Sequence, residues 1–230
     1  MSNLKKTLHF LNINRPKISA FTILGERCSG TKYLEQIFSE LTGLEANYSI
    51  CWKHFFGFDD EKISQTKDVL YLGIARNPYD WACSFHKTCY HCGYLKSKNN
   101  FLQHQIISTN DKSQNIILRD KNFSVSKDLE QAPHFKNLIE LRNVKLKYLI
   151  QDMPKIVHHY KYICYDDLRR SDLQNYLTEI CKEFYIKTTS KKITPFKEPQ
   201  KYHFNPKDIE LLNNNLQWDI ENIAGFTKKQ

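Results

Sequence analysis

The residues Gly25-Glu26-Arg27-Cys28-Ser29-Gly30-Thr31-Lys32 join an apolar, β-branched run at 18–24 to a helical pattern carried by Tyr33, Leu34, Ile37, Phe38 and Leu41. A glycine-containing turn between a strand and a helix directs successive backbone N–H groups, together with the positive end of the helix dipole, at one point. The ligand that suits such a point is a tetrahedral anion, phosphate or sulfate. A second constellation comes after the apolar run at 68–75: Arg76-Asn77-Pro78, then Ser84 eight residues after the arginine. Arg76 offers a guanidinium fork to an oxyanion, and Ser84, two helical turns further on, offers a hydroxyl. Charge-assisted hydrogen bonds of this kind contribute about 1.5–3 kcal/mol each.

Gly25 and Gly30 keep the spacing of the loop used by nucleoside triphosphatases. That loop closes Gly-Lys-Ser/Thr, whereas this one closes Gly30-Thr31-Lys32. The inverted order of hydroxyl and ammonium disfavours a kinase or other ATP·Mg²⁺ enzyme.

The elements that must hold these residues alternate. Strands are expected at 18–24, 46–52, 68–75 and 155–165, the third being apolar throughout, as for a strand covered on both faces. Helices are expected after the turn, from Pro78, over about 134–150, over about 171–185 and through Ile209, Leu212 and Trp218. This alternation implies an α/β fold, three-layered, with a mainly parallel central sheet flanked by helices. The chain, 1–230, reads as one domain, with a polar insertion at about 94–132 that is expected to lie over one end of the sheet. A basic, proline-containing loop spans 187–206.

The segment from Ile23 to Leu34 is similar to the 5′-phosphosulfate loop of sulfotransferases that use 3′-phosphoadenosine 5′-phosphosulfate (PAPS), with Ser29-Gly30-Thr31 in register. Tyr71-Leu72-Gly73-Ile74-Ala75-Arg76-Asn77-Pro78-Tyr79-Asp80, continued to Ser84, resembles the 3′-phosphate motif of the same family. Tyr165-Asp166-Asp167-Leu168 resembles its Tyr-Glu-Asp-Leu, and 216–226 its closing helix.

This resemblance implies a P-loop-like fold, PAPS as donor and 3′-phosphoadenosine 5′-phosphate as product, with no metal. It implies that Cys28, Ser29, Gly30, Thr31 and Lys32 meet the phosphosulfate, that Arg76 and Ser84 meet the 3′-phosphate, that Tyr33 and Tyr165 lie by the adenine, and that Lys197 closes over the donor. The acceptor implied is a hydroxyl or amine of a carbohydrate or other small molecule. His54, next to Lys53 near where relatives carry a lysine and a catalytic histidine, is the candidate base, its ordinary pKa of about 6.5 suiting proton abstraction; Glu26 is the alternative. The position before Ser-Gly-Thr usually carries Lys or Arg, and here it is Cys28, so Arg27, Lys32 or Lys53 must supply the cation. That departure keeps a second reading open, a non-catalytic nucleotide- or glycan-binding module.

A formal net charge of +9 admits polyanionic partners, but no nucleic-acid reading element accompanies it, so none is expected. The chain has no apolar stretch long enough for a membrane span, and 1–16 lacks the apolar core of a signal peptide. Its seven cysteines have no regular spacing, which fits reduced thiols and a cytoplasmic setting. Cys89 and Cys92 have a metal-like interval, with His86 and His91 beside them, but without a second pair they are expected to be packing residues. Oligomeric state is not legible.

Overall fold

The structure is a computed structural model that describes residues 17–57, 60–88, 100–107, 134–197 and 205–229. Its centre is a parallel sheet of three strands, β1 (Ala20–Leu24), β2 (Val69–Ala75) and β3 (Tyr160–Cys164), in the order β1-β2-β3. Every residue of β2 is buried, as expected for the central strand of a sheet covered on both faces. The register pairs Leu24 with Gly73 and Ala75 with Cys164. All three strands therefore end at one edge of the sheet, where they deliver the turn at 25–30, Arg76 and Tyr165.

Helices pack against both faces. On one, Phe21, Ile23, Leu72, Ile74 and Ile163 meet Leu34, Ile37, Phe38 and Leu41 of α1 (Thr31–Thr42). Leu173, Leu177 and Ile180 complete that cluster. On the other, Leu24 and Tyr71 meet Tyr148, Leu149 and Met153, and Ala75 meets Leu146, Ile220 and Phe226. After α1 come α2 (Asp60–Ser64), α3 (Pro78–Thr88) and α4 (Leu138–Lys147), which runs through a π-helical turn (Tyr148–Asp152) into α5 (Met153–Ile156). The chain continues through a 3₁₀ turn (Tyr165–Arg169), α6 (Leu173–Glu183), α7 (Pro206–Asn215) and α8 (Trp218–Ile223). No helix among the described residues is long and apolar enough to cross a membrane.

Three segments depart from the expectation. Residues 46–52 form no strand: Ala46 bridges Phe21, and Asn47 then accepts from both the N–H and the hydroxyl of Ser49, at 2.9 and 2.6 Å. That side-chain turn competes with the ladder and carries the chain away from β1. The strand expected from 155 starts only at Tyr160, because Pro154, which has no N–H for a ladder, sits in the first turn of α5. Asn137 accepts from the N–H of Glu140 at 2.8 Å and so starts α4 at Leu138. His134–Phe135 instead pairs antiparallel with Ile106–Ile107. The described part of the polar insertion, 100–107, buries Phe101, Leu102 and Ile106 against Trp81, Phe85, Leu138 and Leu212, on α3, α4 and α7. The rest of the insertion lies outside the described residues.

Candidate functional site

Between β1 and α1 the backbone bends sharply. Cys28 has φ 68° and Gly30 φ 86°, and the residues around them keep negative φ. Such an alternation turns successive N–H groups toward one concave side. Thr31 then opens α1, whose first turn receives no side-chain cap from Gly30, so its N–H groups add to the same anion-binding potential. Both glycines are required by their surroundings. A Cβ on Gly25 would stand 2.5 Å from the carbonyl oxygen of Ile74, and one on Gly30 would stand 2.8 Å from the ring of Tyr165.

The turn forms one wall of a cavity of about 590 Å³. Arg27, Cys28, Gly30, Thr31, Lys32 and Tyr33 line it from the turn and α1, Trp52, Lys53 and His54 from the loop after Asn47, and Thr88 from the end of α3. Eight of these ten are residues singled out from the sequence, in two runs, 27–33 and 53–54, that a pair of reciprocal bonds brings together. The N–H of Gly25 donates to the carbonyl of Lys53 at 2.9 Å, and Nδ1 of His54 donates to the carbonyl of Gly25 at 2.8 Å. A carbonyl only accepts, so Nδ1 carries the proton and the neutral imidazole has its basic lone pair on Nε2.

Lys53 is held by residues that sequence reasoning did not find. Its Nζ lies 2.9 Å from Oε2 of Glu35, which also accepts from the Tyr48 hydroxyl at 2.6 Å. The rings of Tyr48 and Trp52 stand 5.2 and 5.1 Å from the ammonium. Burial, then the Glu35 carboxylate, raises the pKa of Tyr48, so its hydroxyl stays a donor. Glu35 lies one helical turn after Thr31, a spacing with no distinctive signal among the polar positions of α1.

Arg76 and Ser84 are not among the residues that line this cavity, and both lie beside Cys28. Arg76 is buried, with its guanidinium carbon 4.5 Å over the Tyr165 ring and Nη1 donating to the Cys28 carbonyl at 3.4 Å. Burial raises the pKa of the Cys28 thiol, against smaller opposing effects of the Ser84 and Thr88 hydroxyls beside it, so the group is a neutral thiol. Tyr33, Tyr165 and Phe196 form an aromatic group, with Phe196 5.1 and 5.7 Å from the other two. The Tyr33 hydroxyl donates to the Thr194 carbonyl at 2.7 Å, and Thr194 in turn binds Glu40, which docks this end of the basic loop on α1. Lys197, three residues on, is exposed and outside the cavity lining.

Glu26 and Ser29 turn the opposite way, toward Arg142 and Lys145 of α4. Glu26 Oε1 lies 3.5 Å from the ammonium of Lys145. The alternative base therefore sits behind the turn rather than in the cavity. His86 stacks on Phe101 at 4.2 Å, while Cys89, His91 and Cys92 lie outside the described residues. Behind the site runs a buried relay: Glu221 accepts two bonds from Arg142 at 2.8 Å, Arg142 stands 5.3 Å over Trp81, and Trp81 Nε1 donates to the Arg27 carbonyl at 2.9 Å.

Comparison of the chain with protein-family models, with curated proteins and with solved structures finds no match.

Proposed function

We propose that the protein is a sulfotransferase, built on a P-loop-like three-layer domain in the cytoplasm. It moves the sulfuryl group of PAPS to a hydroxyl or amine of a carbohydrate or other small acceptor. One observation carries this reading: the anion turn, three cations and a histidine of defined tautomer share one cavity, in which Arg27, Lys32, Lys53 and His54 surround the space beside Gly30.

In this reading the N–H groups of the turn bind the 5′-phosphosulfate. The acceptor oxygen attacks sulfur as Nε2 of His54 takes its proton, and the bond from sulfur to the bridging oxygen breaks, leaving its electron pair on the 5′-phosphate of the product. Lys53, oriented by Glu35, and Arg27 or Lys32 neutralise the charge that grows on the bridging oxygen. The transfer is a matter of positioning and electrostatics, as in phosphoryl transfer. Arg76 and Ser84 take the 3′-phosphate at the Cys28 side of the turn. Tyr33, Tyr165 and Phe196 offer ring faces to the adenine, and Lys197 closes over the donor.

A neutral thiol at Cys28, in place of a cation, favours one second reading, a nucleotide- or glycan-binding module without turnover. Calorimetry with adenosine 3′,5′-bisphosphate and with ATP·Mg²⁺, then an acceptor screen with labelled donor, separates the possibilities. Bisphosphate binding that Arg76→Ala abolishes is the expected outcome. Binding of ATP·Mg²⁺ alone overturns the proposal, and bisphosphate binding without transfer to any acceptor selects the module.

A further inference from the structure

Lys145 is 2% exposed, on the inner face of α4 behind the anion turn. Burying an ammonium is costly unless each of its donors finds a partner. This one donates to the carbonyls of Phe56 and His54 at 2.9 and 3.3 Å, and its charge faces the carboxylate oxygen Oε1 of Glu26 at 3.5 Å as an ion pair. The ring of Phe56 lies 4.1 Å away. A residue needed only to fill this space would be Met or Leu. What the ammonium adds is a link between two stretches of backbone that the cavity needs side by side, the turn through Glu26 and the loop through His54 and Phe56.

From this convergence we infer that Lys145 is a positioning residue: its buried ammonium fixes the His54 backbone against the anion turn and thereby sets the Nδ1–H tautomer of His54 and the geometry of the oxyanion site. The carbonyl of His54 held by Lys145 belongs to the same residue whose ring donates to Gly25, and Gly25 bonds back to Lys53. Loss of the ammonium leaves Glu26 buried opposite two carbonyls, so the loop is released from the turn. The inference builds on the sulfuryl-transfer reading, in which turn and imidazole act on one anion, yet it concerns only this chain's own contacts.

The link depends on pH. Desolvation by burial pushes the Lys145 ammonium down to about 8, against a smaller opposing effect of Glu26. The other groups facing it are Arg27 from the turn, Cys51 from the loop and, on its own helix, Arg142, which Glu221 holds.

The test reads the imidazole directly. Long-range ¹H–¹⁵N spectra at pH 7.5 are expected to show His54 of the full chain as the Nδ1–H tautomer. In Lys145→Met that signature gives way to a tautomer mixture, and the affinity for inorganic sulfate, read from the amide shifts of Gly25 and Gly30, falls about tenfold or more, as for one lost charge-assisted bond. Restoring charge balance in Lys145→Met with Glu26→Gln does not restore the tautomer. A folded Lys145→Met protein with unchanged His54 nitrogens and sulfate affinity overturns the inference, as does an Nε2–H tautomer in the unmodified protein. Should the variant not fold, the unmodified protein decides: the His54 ring and Gly25 amide inflect together near pH 8, and a flat profile there overturns the link. If these results hold while adenosine 3′,5′-bisphosphate does not bind, the donor reading fails and the role of Lys145 stands.

Discussion

Nδ1 of His54 lies 2.8 Å from the carbonyl oxygen of Gly25, which makes the imidazole in the cavity and the first glycine of the anion turn one mechanical unit. The bond orients the ring and leaves Nε2 as its basic nitrogen. An asparagine at position 54 keeps an N–H for Gly25 but has no base. His54→Asn is therefore expected to bind adenosine 3′,5′-bisphosphate as the unmodified protein does, while transfer from labelled donor falls about 10²–10⁴-fold. Unchanged transfer would move the base elsewhere.

Gly30 combines a left-handed backbone with contact to Tyr165, whose ring also carries Arg76. Gly30→Ala should lower stability by about 1–3 kcal/mol in urea denaturation, from backbone strain and displacement of the ring. The same variant should weaken bisphosphate binding through Arg76, an effect that strain alone would not produce.

The pair of Arg142 and Glu221 is almost fully buried and bidentate. Removing one member strands a charge, so Arg142→Met or Glu221→Gln should each cost about 3–5 kcal/mol. Replacing both by apolar residues should recover most of that loss in a double-mutant cycle, because the cost lies in the orphaned partner and not in the absent pair.

Cys28 lines the cavity with its thiol held up in pKa by burial. Thiolate is the reactive form, so alkylation of Cys28, read by peptide mass spectrometry, should be slow at pH 7 and accelerate as pH passes 9. Sulfate or bisphosphate in the cavity should protect it. Rapid labelling at pH 7 would contradict a neutral, desolvated thiol.

Lys145 also makes a stability prediction with a defined sign. Its folded value is about 8, against an ordinary 10.5, so between those pH values the unfolded chain binds the proton that the folded chain has released. This group therefore makes stability rise with pH across that window, and the contribution disappears in Lys145→Met. Denaturation midpoints of the two proteins from pH 7 to 10.5 check it: the difference between them should grow in favour of the unmodified protein.

Where local rules govern the structure, the sequence was sufficient. The run at 18–24, the glycine that ends it and the spacing of Leu34, Ile37, Phe38 and Leu41 specify strand, turn and helix without reference to distant residues, and the strand forms over 20–24 with the helix at its expected place. The 46–52 segment misled because its apolar content looks like a strand, whereas the Asn47 side chain bonds locally and takes the backbone off the ladder. His54 and Lys53 were legible as residue types next to each other. Glu35, which holds Lys53, was one polar position among several on an amphipathic helix. Lys145 was invisible in another way: in a lysine-rich chain nothing local distinguishes the lysine that is buried from those that are solvated.

By itself the sequence determined an α/β alternation and a tight strand-to-helix turn from Gly25 to Gly30, the proposed anion site, because strand burial, helical spacing and left-handed backbone are properties of neighbouring residues. Only the tertiary structure decided which charges serve that turn. Parallel register brings the ends of three strands to one edge, and burial then sorts the side chains there, sending Lys53 and His54 into the cavity and Glu26 behind it to Lys145. Desolvation and pairing depend on what surrounds a group in space, so they are set by packing across more than a hundred residues of chain and not by residue type.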